Sequence, residues 1–255
     1  MDATFHRDGF SLFHLDLPEG EGSALFEQLA ASVDFEDVTG GRAGNHLTKP
    51  GEMGVPIVRT TTRYLRPAHT FSAVHDDLVA RLPERSFNHA LIEIYDQRYR
   101  KMGYHSDQSL DLAEGSHIAL VSVYDRALCA SGRGMRQLMV RSKETGERFS
   151  IPLGHGSVVL FSVATNARYA HKIVLPAVAP EDTRWLGLTL RRSKTFVTFR
   201  DGEPTLADGR ALTLADVTER KAFYRLRGQE NRAVDFRYPS LSYTISEADR
   251  LLPTS

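Results

Sequence analysis

Cysteine, net charge and long apolar runs are what this sequence lacks. Cys129 is the only cysteine in the 255 residues, so no disulfide forms within the chain and a reducing compartment is favoured. No apolar run approaches the roughly 20 residues that a membrane span needs. The first residues have neither the basic nor the apolar region of a secretory signal. These absences predict a cytoplasmic protein without a membrane partner.

Positive and negative side chains balance each other. Lysine and arginine together number 32, as do aspartate and glutamate, which gives a formal net charge of zero. Proteins that bind duplex DNA usually carry a basic excess or patch, so the balance disfavours this class, although Arg133, Arg136 and Arg141 can still form a local patch. The composition, 41% hydrophobic and 25% charged, is that of a globular chain with one sizeable core. We expect a single domain over residues 1–255.

The N-terminal part of the chain, residues 1–56, differs in pattern from the rest. A helix is predicted over about 23–33, where leucines and a valine recur at helical spacing. Residues 38–56 contain five glycines and two prolines, which predicts an irregular segment long enough to act as a lid.

Residues 57–198 are predicted to form a β-rich core, because short runs of Val, Ile, Leu, Tyr and Phe alternate there with turn residues. The predicted strands are 57–65, 87–95, 117–124, 136–142, 147–151, 157–163 and 184–197, with a helix near 71–82. Many short strands with a few helices are typical of an α+β, mainly β protein, a β-sandwich or jelly roll with supporting helices.

Residues 199–255 are predicted to be an extension packed on the core. The segment from Thr213 to Asp216 has the pattern of a helix start, and Gly228 is a stop signal after Arg227. The sequence indicates no oligomeric state.

A candidate metal site lies in His105-Ser106-Asp107. Side chains at i and i+2 of an extended segment share one face, so His105 and Asp107 can reach one ion. His171, much later in the chain, can return on another strand as a third ligand. Two imidazoles and one carboxylate are the ligand set of non-haem Fe(II) oxygenases, and a lone cysteine argues against a structural zinc site.

His155 is the rival third ligand. It lies between Gly154 and Gly156, where a turn is favoured. His171 is preferred because Tyr169, Ala170 and Ile173 give it strand-like surroundings.

An oxygenase of this type also holds a dicarboxylate beside the metal, and the planar fork of arginine suits that task. Arg191 and Ser193 share a face of the last predicted core strand, and Tyr95 ends the strand before the metal motif. We expect Arg191 to pair with the carboxylate, and Ser193 and Tyr95 to support it. Arg184 is the competing anchor, on the opposite face if the strand is regular.

In its order of segments the chain resembles the AlkB-like Fe(II)/2-oxoglutarate-dependent dioxygenases from about Arg59 to Phe196. The segments that carry the resemblance are 87–95, 105–107, 115–123, 152–159 and 165–171. It implies a double-stranded β-helix, a cupin-like jelly roll, with iron held at His105, Asp107 and His171. It also implies 2-oxoglutarate and O2 as co-substrates, with Tyr95 and a strand arginine binding 2-oxoglutarate.

Two departures from the family pattern concern this co-substrate. Glu93 stands where the family usually has asparagine, two residues before Tyr95. The family's last core strand usually carries two arginines six residues apart, and this chain supplies one: the second position is Val197 if Arg191 is the first, and the first is Trp185 if Arg191 is the second.

The resulting hypothesis is an oxygenase that hydroxylates or oxidatively demethylates a C–H bond, with release of succinate and CO2. A small organic metabolite or natural-product intermediate is the favoured substrate, because the net charge is zero. The alternatives are an AlkB-type demethylase of nucleobases in DNA or RNA, which has to grip phosphates, and a non-catalytic binding module with the same fold.

Overall fold

The structure is a computed structural model that describes residues 3–17, 21–126, 133–178 and 182–255. Its strands are β1 (Phe5–Arg7), β2 (Phe10–His14), β3 (Glu36–Thr39), β4 (Arg42–Thr48), β5 (Val55–Ile57), β6 (His69–Thr70), β7 (His89–Tyr95), β8 (His117–Tyr124), β9 (Arg136–Ser142), β10 (Arg148–Leu153), β11 (Ser157–Ser162), β12 (Tyr169–Val174), β13 (Trp185–Arg191), β14 (Thr195–Arg200), β15 (Glu203–Leu206), β16 (Thr213–Leu214) and β17 (Tyr243–Thr244). Its helices are α1 (Glu21–Ala30), α2 (Ala73–Ala80), α3 (Val163–Arg168) and α4 (Val217–Glu230), followed by a 3-10 turn over Glu247–Arg250. Cys129 lies outside the described residues. None of the described helices is long and apolar enough to cross a membrane.

Two sheets form the centre of the protein. The larger has the order β1-β2-β11-β8-β13-β7-β4-β3, with β6 beside β4, and the smaller has the order β10-β9-β12. Single bridges from Lys101 to Val174 and from His105 to His171 add residues 101–105 to the smaller sheet, beside β12. The smaller layer thus consists of three strands and this added segment, and it packs against β11, β8, β13 and β7 of the larger sheet. This is the predicted double-stranded β-helix.

Apolar side chains fill both faces of the larger sheet. Between the two sheets, Leu138 and Ile151 of the smaller pack with Leu120 of the larger in one buried cluster. On the outer face, Phe26 of α1 and Leu78 of α2 belong to a second cluster with the opposite side chains of β8 and β13. The helices therefore cover the outer face of the larger sheet, and the site lies on its inner face.

The prediction of an irregular lid over residues 38–56 is wrong. This segment contains β4, which lies within the larger sheet and pairs with β7 along its whole length. The glycines serve particular contacts: Gly41 has φ of 81°, and a Cβ at Gly44 would lie 2.8 Å from the hydroxyl oxygen of Tyr64. Close approach of neighbouring groups explains the glycine content here, and Arg42 is brought opposite Tyr95.

Four other predicted boundaries differ from the structure. The strand expected at 184–197 is two strands, β13 and β14, separated by a turn at 192–194. The strand expected at 57–65 ends at Ile57. Helix α4 begins one turn later than expected, because the Asp216 carboxylate accepts the Glu219 amide at 2.8 Å and the Glu219 side chain accepts the Asp216 amide at 3.0 Å. Gly228 lies within this helix rather than at its end.

Candidate metal centre

The structure brings the three predicted metal ligands together. His105 lies in the strand-like segment beside β12, Asp107 follows it, and His171 lies on β12. One ligand atom from each of the three lies within 4.8 Å of the others. The backbones of His105 and His171 exchange two hydrogen bonds, of 2.9 and 2.6 Å, so the two imidazoles extend from directly paired residues.

The His105 ring is held in a form suited to a metal. Its Nδ1 is 3.1 Å from the carbonyl oxygen of Gly103, which makes Nδ1 the protonated nitrogen and leaves Nε2 free to ligate. Burial lowers the pKa of His105 to about 3, and the neighbouring His171 and Arg227 act in the same direction. The imidazole is therefore neutral at physiological pH, as a metal ligand has to be.

Asp107 is a buried carboxylate that remains ionised. Burial acts to raise its pKa, but Arg191 and the two histidines outweigh that effect and hold the pKa of Asp107 well below its usual range. Arg191 donates from Nε at 2.8 Å to Asp107 Oδ2 and places Nη2 2.6 Å from the same oxygen. The other oxygen, Oδ1, is 3.3 Å from Nε2 of His171. Two imidazoles and an ionised carboxylate are a donor set that fits Fe(II).

A cavity of about 520 Å³ opens on the three residues. Its wall includes Arg42, Glu93, Tyr95, Thr189, Arg191 and Arg227. A larger groove of about 830 Å³ contains none of the three candidate ligands, so the smaller cavity is the one with the chemistry. Its volume lies within the usual range of small-molecule sites, about 300 to 1,000 Å³.

The profile of the 2OG-Fe(II) oxygenase superfamily matches residues 23–192, about two thirds of the chain and all of the two central sheets except β1 and β2 at their edge. The chain belongs to this superfamily. It is an oxygenase whose cofactors are Fe(II), 2-oxoglutarate and O2, and the three clustered residues fit the iron.

Solved structures similar to the oxygenase include a prolyl-4-hydroxylase of Pseudomonas putida and OsALKBH1. The first is 13% identical with a TM-score of 0.45, over 72% of this chain and 92% of that chain. The second is 15% identical with a TM-score of 0.47, over 75% of this chain and 100% of that chain. No curated protein sequence matches the oxygenase.

Two of the three predicted co-substrate residues line the cavity of the oxygenase. Arg191 lies beside Asp107, and the hydroxyl of Tyr95 donates to Glu93 Oε2 at 2.8 Å. Nη1 of Arg191 is buried and has no hydrogen-bond partner among the described residues, so a donor remains for a ligand. The prediction for Ser193 is wrong. Its hydroxyl donates to the carbonyl oxygen of Ile57 at 2.5 Å, because the strand has ended and the side chain closes a turn.

The rival residues lie elsewhere in the oxygenase. Nδ1 of His155 accepts the Tyr124 amide at 3.0 Å, and His155 is not part of the cluster around Asp107. Arg184 is half-exposed and pairs with Asp125 at 2.9 Å. The geometry favours His171 as the third ligand and Arg191 as the co-substrate cation.

The inner face of β13 shows which residue stands where the second arginine is missing. This face carries every second residue of the strand, namely Trp185, Gly187, Thr189 and Arg191. Trp185 pairs with Tyr95 of β7 in the sheet. The indole packs where a Gly187 side chain would project, since a Cβ there would lie 2.1 Å from the ring. Tryptophan therefore occupies the far end of the strand face in this oxygenase, and Arg191 stands next to the metal ligands.

Asn166 is a residue of the site that we did not predict. Its Oδ1 accepts the Asp107 amide at 2.7 Å, and its Nδ2 donates to the Asp107 carbonyl oxygen at 2.7 Å. Asn166 is buried in α3, five residues before His171. The only sequence signal was its place in the segment 165–171, which carries part of the family resemblance.

Proposed function

We propose that this oxygenase oxidises a C–H bond of a small organic molecule, by hydroxylation or oxidative demethylation. Iron is held by His105, Asp107 and His171, and a carboxylate of 2-oxoglutarate is bound by Arg191 with help from Tyr95. When bound, Fe(II) and 2-oxoglutarate supply the activation of O2, with release of succinate and CO2. The protein contributes binding, orientation and electrostatics.

The observation that carries this choice of substrate is the charge of the cavity wall. Each of its arginines has a carboxylate partner: Arg42 lies 2.5 Å from Glu93, Arg191 lies 2.6 Å from Asp107, and Arg227 lies 2.6 Å from Glu230. A site that grips a nucleic-acid backbone needs positive charge that its own carboxylates do not neutralise. The paired wall favours a small molecule over a polynucleotide.

The size of the cavity supports the same conclusion. Helix α4 forms one side of it through Tyr224, Arg227 and Gly228, and the loop from Thr60 to Thr62 forms another. About 520 Å³ has to hold the co-substrate together with the part of the substrate that reacts. A metabolite of modest size fits this volume.

The described side chains have distinct tasks in this proposal. His105 and His171 supply imidazole nitrogens to the metal. Asp107 stays ionised because the positive charge of Arg191 stabilises its carboxylate. The Tyr95 hydroxyl keeps its proton, since burial and the charge of Glu93 raise its pKa well above the usual value. Tyr95 is therefore a hydrogen-bond donor, available to a carboxylate that displaces Glu93.

The test measures succinate formed from 2-oxoglutarate by the wild-type protein with Fe(II) and O2. One arm supplies a panel of small metabolites, and the other supplies methylated single-stranded DNA at low and high salt. Stimulated turnover with a metabolite, together with its oxidised product, supports the proposal. Tight, salt-sensitive DNA binding with loss of the methyl group would replace it with nucleobase demethylation.

A further inference from the structure

The backbone of His105-Ser106-Asp107 is hydrogen-bonded at each of its six polar groups. The groups of His105 pair with the backbone of His171, and those of Asp107 pair with the Asn166 side chain. The two groups of Ser106 pair with helix α4 and the residue after it: its amide donates to Asn231 Oδ1 at 3.0 Å, and its carbonyl oxygen accepts Arg227 Nη2. The residue between the two candidate ligands is thus held from the C-terminal extension.

We infer that Arg227 and Asn231 are positioning residues of the metal centre, acting through the backbone of Ser106. The inference rests on the proposed role of His105 and Asp107 as metal ligands. Hydrogen bonds to the groups that carry metal ligands orient those ligands, and their loss typically lowers metal affinity by about 10- to 100-fold.

Glu230 fixes the two positioning residues relative to the core. It is buried, its Oε1 accepts both the amide and the hydroxyl of Ser109, at 2.8 and 2.6 Å, and its Oε2 lies 2.6 Å from Arg227 Nη1. Tyr238 donates to the same Oε2 at 2.7 Å. Lys143, from the turn after β9, donates to the Glu230 carbonyl oxygen at 2.8 Å. These contacts join the end of α4 to Ser109, two residues after the metal motif, and to the turn after β9.

Helix α4 lies outside the part of the chain that matches the superfamily, which ends at residue 192. The contacts to Ser106 and Ser109 therefore come from a part of this chain that the family match does not cover. The same turns of the helix line the cavity through Tyr224, Gly228 and Asn231. Helix α4 therefore both lines the cavity and holds the backbone of Ser106.

The experiment compares metal binding by Asn231→Ala and Asn231→Asp with that by the wild type. Fe(II) affinity is measured without oxygen against a competing chelator, and the Cu(II)-loaded proteins are compared by electron paramagnetic resonance, whose hyperfine splitting reports ligand geometry. Asn231→Ala is expected to bind Fe(II) about 10- to 100-fold more weakly and to give an altered Cu(II) spectrum. Asn231→Asp keeps an acceptor for the Ser106 amide and is expected to restore both to near the wild-type values.

Lys221→Ala is the matched control, because this residue is exposed on the same helix. It is expected to bind metal as the wild type does. Metal-free unfolding curves identify any variant that fails to fold, and in that case Arg227→Lys, which keeps the charge but loses the planar fork, is measured in place of Asn231→Ala with the same expected weakening.

Two results separate the failure of this inference from the failure of the metal site. If the wild type binds Fe(II) and the folded Asn231→Ala protein has the same affinity and the same Cu(II) spectrum, the positioning role is wrong and the metal site stands. If Asn231→Asp is as weak as Asn231→Ala, the hydrogen bond to Ser106 is not what matters and the inference is also wrong. If wild type and His171→Ala bind Fe(II) equally, the proposed metal site itself is wrong.

Discussion

The amide nitrogen of His105 donates to the carbonyl oxygen of His171 at 2.9 Å, and the amide of His171 donates back at 2.6 Å. Two proposed iron ligands are thus adjacent across a bridge between strands, and their ring centroids are 4.9 Å apart. Their separation is set by the sheet, so the site does not have to be assembled from a flexible loop when metal arrives. Rigid strands hold ligand geometry better than loops do.

His171→Ala is expected to abolish the visible charge-transfer band that forms when Fe(II) and 2-oxoglutarate are mixed with the protein without oxygen. The variant removes one of three ligands and leaves the bridge to His105 in place. His155→Ala is the control, and its band is expected to match the wild type because His155 lies outside the cluster. The opposite pattern would mean that His155 is the third ligand.

Arg191→Met is expected to weaken 2-oxoglutarate binding. Hydrogen bonds to charged groups contribute about 1.5 to 3 kcal/mol, which corresponds to a rise in Kd of roughly 10- to 150-fold. The measurement is a titration of the anaerobic Fe(II) protein with 2-oxoglutarate. Arg184→Met is the control and is expected to leave Kd unchanged, since Arg184 is half-exposed beside Asp125. An unchanged Kd in Arg191→Met would exclude Arg191 as the anchor.

Gln108→Leu is expected to stabilise the free protein and to impair its use of substrate. Gln108 lines the cavity beside Asp107, is 5% exposed, and has no partner for either amide atom among the described side chains and backbone. An unsatisfied buried polar group costs about 1 to 3 kcal/mol, so the melting temperature should rise by about 2 to 10 °C. Gln108→Glu, which keeps the shape, serves as the polar control.

The kinetic half of this prediction is a higher KM for substrate in Gln108→Leu, because a bound ligand would lose the amide as a partner. A variant that is both less stable and unchanged in KM would show that the amide is satisfied within the protein.

Asp249→Asn is expected to make the protein more stable at pH 8 and to have little effect near pH 4. Burial raises the pKa of Asp249 to about 7, against a usual value of 3.8, and the nearby charge of Asp111 adds to the rise. A group whose pKa is raised on folding loses its stabilising contribution as the pH rises through the folded value. The free energy of unfolding of the wild type therefore falls by up to about 1.4 kcal/mol per pH unit between roughly pH 4 and 7.

Urea unfolding of wild type and Asp249→Asn at pH 4.5, 6 and 8 measures this difference directly. Thr244, whose hydroxyl donates to Asp249, can donate equally to the asparagine oxygen. Asp208→Asn is a control of opposite sign, because Arg210 lowers the pKa of that exposed carboxyl. A difference between Asp249→Asn and wild type that does not grow with pH would contradict the raised pKa.

The chemistry-bearing part of the site was predictable because it follows local rules. The spacing of His105 and Asp107 gives one face to two side chains, and the structure places both next to His171. Ser193 was predicted wrongly because the same alternation was extended two residues beyond the end of β13, where the chain turns.

The remaining errors have long-range causes. The glycine content of residues 38–56 predicts irregular structure, yet Gly44 lies in a strand paired with β7, where Tyr64 leaves no room for a side chain. No local pattern links Asn231 to Ser106, since that hydrogen bond joins residues 125 positions apart. Contacts of this kind depend on how the extension packs, which the sequence of either segment does not show.

Trp185 is the chain's only tryptophan, and it is fully buried between the two sheets. Its ring centroid lies 4.8 Å from that of Tyr95, which lines the cavity, and the guanidinium carbon of Arg136 lies 5.8 Å from the indole centroid. The tryptophan fluorescence of the protein therefore arises from a single indole, in contact with Tyr95 of the cavity wall. We expect its emission to change when a ligand enters that cavity, so binding can be followed without an added label.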